Sequence, residues 1–307
     1  MFPLRAVILA AAVAACAADP MAAPALPPLS SEADIAAAEA VALQGDAADW
    51  NAPFAPFNVI GNIHYVGASG VSSFLITTDE GHILLDGGLA QTAPMIIANI
   101  ETLGLSIGDV RCLLNSHAHN DHAGGLARLQ RESGAQVVAS EGDRDALETG
   151  RVGYGPSADW RFPPVRVDRI IADGDSITLG GVTLTAFLTP GHTRGCTSWM
   201  MDVRGADGAQ HRAFFHCSGT VAGQSLIPPS YSGIVEDYRT SFARVATVEA
   251  DVFLANHNNF FDLQAKRARQ RAGDSNAFVD AGELQRYNAR MREAFDAEFA
   301  RQQIQHP

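Results

Sequence analysis

Residues 115–125 read NSHAHNDHAGG, which places His117, His119, Asp121 and His122 within six positions. The stretch directly follows VRCLL, an apolar run of strand length. Imidazole nitrogens and carboxylate oxygens suit a borderline cation such as zinc, and no cluster of thiolates competes with them. Four donors so close in sequence cannot close round one ion without crowding. Divided between two ions, with one more histidine from elsewhere for each, they would make two three-donor sites. Each site would keep an open position, the feature that separates catalytic zinc from fully enclosed structural zinc.

Two distant segments have the right form to supply the missing histidines. His192 in PGHT follows the apolar run TAFLT, and His257 in HNNFF follows DVFLA. Loops at strand ends are where α/β proteins carry their chemistry. His64, His82, His211, His216 and His306 lack that setting and read as packing or surface groups. Asp86 in ILLDGG also follows a buried run, and reads either as an acid orienting a donor or as a turn residue.

The surrounding pattern alternates strands and helices. FNVIGNIHYVG, VSSFLITTDE and GHILLDGG read as three strands with glycine-containing turns. APMIIANIETLG carries a helical apolar stripe that ends at Gly104, AGGLARLQRES begins another helix, AQVVAS is a strand and DRDALETG a short helix. The Gly/Pro-rich stretch GYGPSADWRFPP interrupts this order; its Trp160 and Phe162 fit either an apolar cleft wall or surface packing. Strands return over VDRIIADGDSITLGGVTLTAFLT and the two segments beside Cys196 and Cys217. Helix VEDYRTSFARVATV and strand DVFLANH follow. The last helix presents Leu284, Tyr287, Met291, Phe295 and Phe299 on one face, with Asp280 and Glu283 spaced as a capping box.

The chain has 307 residues, 47% hydrophobic and 18% charged, enough apolar material for a substantial core. One large layered α/β domain over 51–307 accounts for it, preceded by an Ala/Pro-rich arm over 21–50 that stays outside the core. The net charge of −12 argues against nucleic acid and anionic membrane surfaces and for a small-molecule substrate. A monomer is the default. Residues 1–20 have the order of a secretory signal, with Arg5, an apolar run too short to span a bilayer, then small residues. Val13-Ala14-Ala15-Cys16 resembles a lipobox, so either a lipid anchor at Cys16 or cleavage after a later alanine is expected. Both imply export to the periplasm. In an oxidising compartment a Cys196–Cys217 disulfide across the expected hairpin is favoured over two free thiols. Cys112, inside VRCLL, reads as a buried, inert thiol.

SHAHNDHAGG, TPGHTRGCTSW, IVEDYRTSFARV and LANHNNFFDL together resemble the metallo-β-lactamase superfamily, and in detail its subclass B3, from about Trp50 to Phe299. The resemblance implies an αββα sandwich, two mixed β-sheets flanked by helices. It implies two Zn2+ per chain, one held by His117, His119 and His192, the other by Asp121, His122 and His257. It places Ser218 near the second zinc, where it helps bind water or a substrate carboxylate, with Thr220 and Gln224 along the same wall. Some members carry the Cys196–Cys217 bridge. Glyoxalase II enzymes and quorum-sensing lactonases place a metal-bridging aspartate after the corresponding strand, where this chain reads FFHCSGT. The implied reaction is hydrolysis of the β-lactam amide bond of penicillins, cephalosporins and carbapenems by a zinc-bound hydroxide. Asp121 would act there as a catalytic residue that lowers the local charge and orients the nucleophile. A zinc hydrolase of lactones or thioesters is the alternative.

Overall fold

In the computed structural model of the chain, residues 26–306 are described; the expected signal segment 1–20 and Cys16 lie outside them. Strands β1 (Phe57–Ile60), β2 (Ile63–Tyr65), β3 (Phe74–Thr78), β4 (Gly81–Leu85), β5 (Val110–Leu114), β6 (Gln136–Ser140) and β7 (Arg169–Ile171) form one sheet in that order. Its first four strands are antiparallel and its last four parallel. A second sheet holds β8 (Ser176–Leu179), β9 (Val182–Leu188), β10 (Thr197–Arg204), β11 (Gln210–His216) and β12 (Val252–Ala255), with β12 joined in parallel to β11.

The two-residue period of a strand explains why the first sheet is buried on both faces. Phe74, Ile76, Ile83, Leu85, Cys112 and Leu114 point toward the second sheet, where Phe74 meets Phe215 edge to face at 5.3 Å. Their neighbours Leu75, Leu84 and Leu113 point the other way, into a core shared with helices α3 (Ala93–Thr102), α5 (Leu126–Ser133) and α6 (Glu141–Thr149). Behind the second sheet lie α7 (Ile234–Val245) and α9 (Glu283–Gln305), whose Tyr287 packs on Phe253 and His216. Two mixed sheets between helical layers make the αββα sandwich.

The structure departs from the sequence reading in several places. FNVIGNIHYVG is a hairpin rather than one strand, because Gly61 at φ 52° turns the chain between β1 and β2. The 21–50 arm is partly core: α1 (Glu32–Glu39) buries Ile35, and Arg128 on α5 grips it through Glu32 and Glu39. α2 (Asp46–Trp50) follows it. The basic run Lys266–Arg271 falls on α8 (Leu263–Arg271), which has no visible apolar stripe. There Lys266 is buried against Glu283, and that pairing is one reason no capping box forms. Gly282 is the cap of α9, and the Asp280 side chain turns to Arg286. Cys196 and Cys217 are joined by a disulfide, with Cα atoms 5.8 Å apart. Cys112 is fully buried, yet it is no inert free thiol, since no described cysteine is free.

Candidate metal centre

Strand direction brings the chemistry to one edge. β4 and β5 run parallel with Leu85 beside Leu114, so Asp86 and Asn115 leave the first sheet together. In the second sheet Leu188 pairs with Thr197 and His216 with Ala255. The loops that follow these ends carry His192, Ser218 and His257. After β5 the HAHNDH segment is not all loop: Asn120–Ala123 makes a single helical turn, α4, which turns Asp121 and His122 inward and buries both. Asp86 holds the start of the segment, accepting from Ser116 N–H at 2.7 Å and lying 3.9 Å from His122 Nδ1. It is therefore an orienting acid, held at φ 63° in a turn conformation costly for a residue with a Cβ.

Two groups of donors result. Nε2 of His117 lies 3.1 Å from Nδ1 of His119. The ring of His192 packs 4.7 Å from each of theirs. His192 Nδ1 sits 2.8 Å from the Thr220 carbonyl, which can only accept, so Nδ1 carries the proton and Nε2 keeps its lone pair. His117 Nδ1 likewise faces Ser116 Oγ at 3.1 Å and the Asn256 carboxamide at 3.4 Å, which leaves its Nε2 for the centre. In the second group, Asp121 Oδ2 and Nε2 of His122 and His257 form a triangle with all three sides 3.2 Å.

These spacings fit a metal ion. A tetrahedral zinc with bonds of about 2.0–2.1 Å needs donors about 3.3–3.4 Å apart. Two sets of three close, buried donors, His117 with His119 and His192, and His117 with Asp121 and His122, could hold a metal ion. The second triangle adds His257, which lies nearer the rim against Trp50 and Phe260.

The metal-free electrostatics agree with that fit. Burial, reinforced by the neighbouring imidazoles, holds His117 and His192 well below the usual histidine range. Burial brings His119 down to about 4 despite the pull of Asp121. These three rings are neutral at pH 7 and have lone pairs to give. Burial acts against charge on Asp121 too, but His122 and His257 outweigh it and keep the carboxyl well below its ordinary value. His122 is raised, burial being overcome by Asp121 and Asp86. The second group thus holds a carboxylate that demands a positive neighbour.

The remaining expected site residues are close by in different roles. Ser218 Oγ lies 3.1 Å from Thr220 Oγ1, and Thr220 Oγ1 lies 3.2 Å from His192 Nδ1, so this pair supports His192. Gln224 is a correction. It is 1% exposed, and its amide nitrogen donates to the His192 carbonyl at 3.2 Å, so it braces the His192 loop from behind instead of facing a cleft. Trp160 lines a cavity of about 320 Å3 with Trp50, Leu89, Arg161 and Asp121, whereas Phe162 is buried in the outer-face core.

Sequence reasoning missed Trp50, Asn256 and Asp143. Asp143 accepts hydrogen bonds from Ala118 N–H, Thr193 Oγ1 and Gly195 N–H at 2.8–3.0 Å, and burial pushes its carboxyl up to about 6. Its signal was available: it follows the apolar strand AQVVAS, the same setting that marked the histidine loops.

A family model described as the metallo-beta-lactamase superfamily matches residues 66–200. The chain is 44% identical to a subclass B3 metallo-beta-lactamase of Bradyrhizobium japonicum, over 83% of this chain and 97% of that one, with a TM-score of 0.80. It is 36% identical to a native metallo-beta-lactamase from Legionella gormanii, over 82% and 98% of the two chains, with a TM-score of 0.79. The chain belongs to the metallo-beta-lactamase superfamily. Within it, the full-length likeness is to subclass B3, and the general activity is that of a metal-dependent hydrolase. Curated relatives match over shorter stretches. A hydroxyacylglutathione hydrolase of Maricaulis maris is 34% identical over 37% of this chain and 36% of its own length. A probable metallo-hydrolase of Burkholderia pseudomallei is 26% identical over 50% of this chain and 49% of its own. The chain spans less than half the length of both relatives.

Proposed function

We propose that this protein is a zinc β-lactamase, hydrolysing the cyclic amide of penicillins, cephalosporins and carbapenems with two Zn2+ per chain. One observation carries the choice of substrate. Likeness to B3 enzymes covers 97–98% of their chains, while likeness to the thioester-cleaving relative covers about a third of its length. The local chemistry supports it, because β11 ends in His216-Cys217-Ser218 with no carboxylate to bridge two metals.

His117, His119 and His192 would hold one ion and Asp121, His122 and His257 the other. When bound, such ions polarise a carbonyl and bring the pKa of water from ~15.7 toward ~7. The chain's own residues do the rest. His192 is held in the donor tautomer by Thr220, and Asp86 anchors Ser116 N–H at the start of the segment that carries His122. Asp121 lowers the local positive charge and presents an acceptor that can orient an attacking water. Ser218, braced by Thr220, offers a hydroxyl to a substrate carboxylate and is not the nucleophile. Trp50, Leu89 and Trp160 give the adjoining cavity apolar walls, with Arg161 on its rim. The protein is read as exported to the periplasm, as a monomer, with a lipid anchor at Cys16 or a cleaved leader. Among the described residues no helix is long and apolar enough to cross a membrane.

The test is hydrolysis of one member of each β-lactam class with and without chelator. The second reading, a lactone or thioester hydrolase, is favoured by the curated relative and would show as strong lactone or thioester turnover without β-lactam turnover.

A further inference from the structure

Asp143 is a buried acid that touches no metal donor, yet it bonds both loops that carry the three-histidine group. Its Oδ2 accepts from Ala118 N–H at 3.0 Å and from Thr193 Oγ1 at 2.8 Å, and its Oδ1 from Gly195 N–H at 3.0 Å. Ala118 lies between His117 and His119, and Thr193 follows His192. The approach is close. A Cβ on Gly195 would stand 2.3 Å from the backbone nitrogen of Asp143, and one on Gly142 would stand 2.5 Å from the Arg194 carbonyl oxygen. Ser140 adds a bond from its hydroxyl to the Gly195 carbonyl at 2.6 Å. The first turn of α6 and the 193–195 segment are fitted together with no room for side chains at either glycine.

We propose that Asp143 is the positioning residue of the His117, His119 and His192 group, fixing the separation of two loops so that their ring nitrogens converge. The proposal rests on reading those three rings as metal donors. Asp86 anchors the start of the histidine segment through Ser116 N–H and lies 3.9 Å from His122 Nδ1, but it bonds neither Ala118 nor the 193–195 segment. Loss of Asp143 would leave two buried N–H groups and a hydroxyl without their acceptor, and buried donors regain partners only if the loops shift. That shift spreads the histidines without changing any ring's tautomer.

The experiment is a metal titration. Metal-stripped protein is titrated with zinc against a chromophoric chelator, and with Co2+ by its visible absorption. A His122→Ala background isolates the three-histidine group, and a His192→Ala background isolates the other. Asp143→Ala is expected to weaken binding about 10–100-fold in the first background, the range for partners behind metal ligands, and to alter the Co2+ spectrum there. Binding in the second background stays unchanged. Asp143→Asn keeps a carbonyl acceptor for Gly195 but turns its amide NH2, a donor, toward Ala118 N–H, so it falls between. Unchanged affinity in the first background overturns the proposal, as does equal weakening in both, which marks a general structural role. If Asp143→Ala does not fold, Thr193→Val removes one donor and must still weaken only the first group. Should the parent protein bind neither metal, the donor reading itself fails, an outcome distinct from failure of the clamp alone.

Discussion

The two donor groups lie side by side, with the His117 ring 4.5 Å from that of His122, but are held by different means. His117, His119 and His192 are neutral rings buried edge to face, and two of them have their far nitrogen fixed by a neighbouring oxygen. Asp121, His122 and His257 include a carboxylate, and His257 is open at the rim beside Trp50. One group is set by packing and tautomer, the other by charge. The difference suggests a division in which the packed group carries the first ion tightly and the charged group, less enclosed, faces the substrate.

The largest expected effect removes a donor from the three-histidine group and a ring packed against the other. His117 is 3.1 Å from His119 Nδ1, and its ring packs 4.5 Å from that of His122. His117→Ala should reduce β-lactam turnover by more than ~100-fold, beyond the loss typical for groups behind the ligands. Turnover within tenfold of the parent would remove His117 from the site. Next, His257→Ala should lower metal content from two ions toward one and slow turnover ~10–100-fold, read by elemental analysis and initial rates on one sample. Unchanged activity removes His257 from the site. Trp50→Ala tests the rim alone. It removes the ring 5.0 Å from His257 and should raise KM a few-fold with metal content unchanged, since an apolar contact of this kind is worth about 1 kcal/mol.

A separate effect, on stability instead of turnover, lies outside both groups and checks that burial, not proximity to metal, neutralises a histidine in this fold. Burial lowers His216 from 6.5 to about 4. The unfolded chain therefore takes up the proton first as pH falls, and stability drops between about pH 6.5 and 4 by up to about 3 kcal/mol. In His216→Phe that part of the slope should vanish, as measured by urea unfolding of metal-free protein at pH 7 and 4.5. An identical slope in both proteins would contradict the assignment.

The histidine loops were legible because each donor followed an apolar strand, and strand ends of like direction must share an edge. The sandwich came from the motifs that carry the family resemblance, because Phe74, Leu75 and Ile76 are apolar without a break in sequence and only the structure divides them between two cores. Ile35 was not, because a single apolar residue among alanines and glutamates makes no stripe; its burial depends on Arg128, 89 residues beyond Glu39. Helix α8 was hidden for a related reason, since Lys266 is buried by pairing with Glu283 instead of by apolarity. Gln224 was misread because sequence does not tell which way an amide turns, and here it turns to the His192 carbonyl.

Zinc stoichiometry and carbapenem hydrolysis measured on the same purified sample, before and after exhaustive chelation, test the account most directly. It predicts two zinc ions per chain, loss of hydrolysis with their removal, and recovery when zinc is restored. Turnover that persists in metal-free protein, or a fully loaded protein that opens no β-lactam, would contradict it.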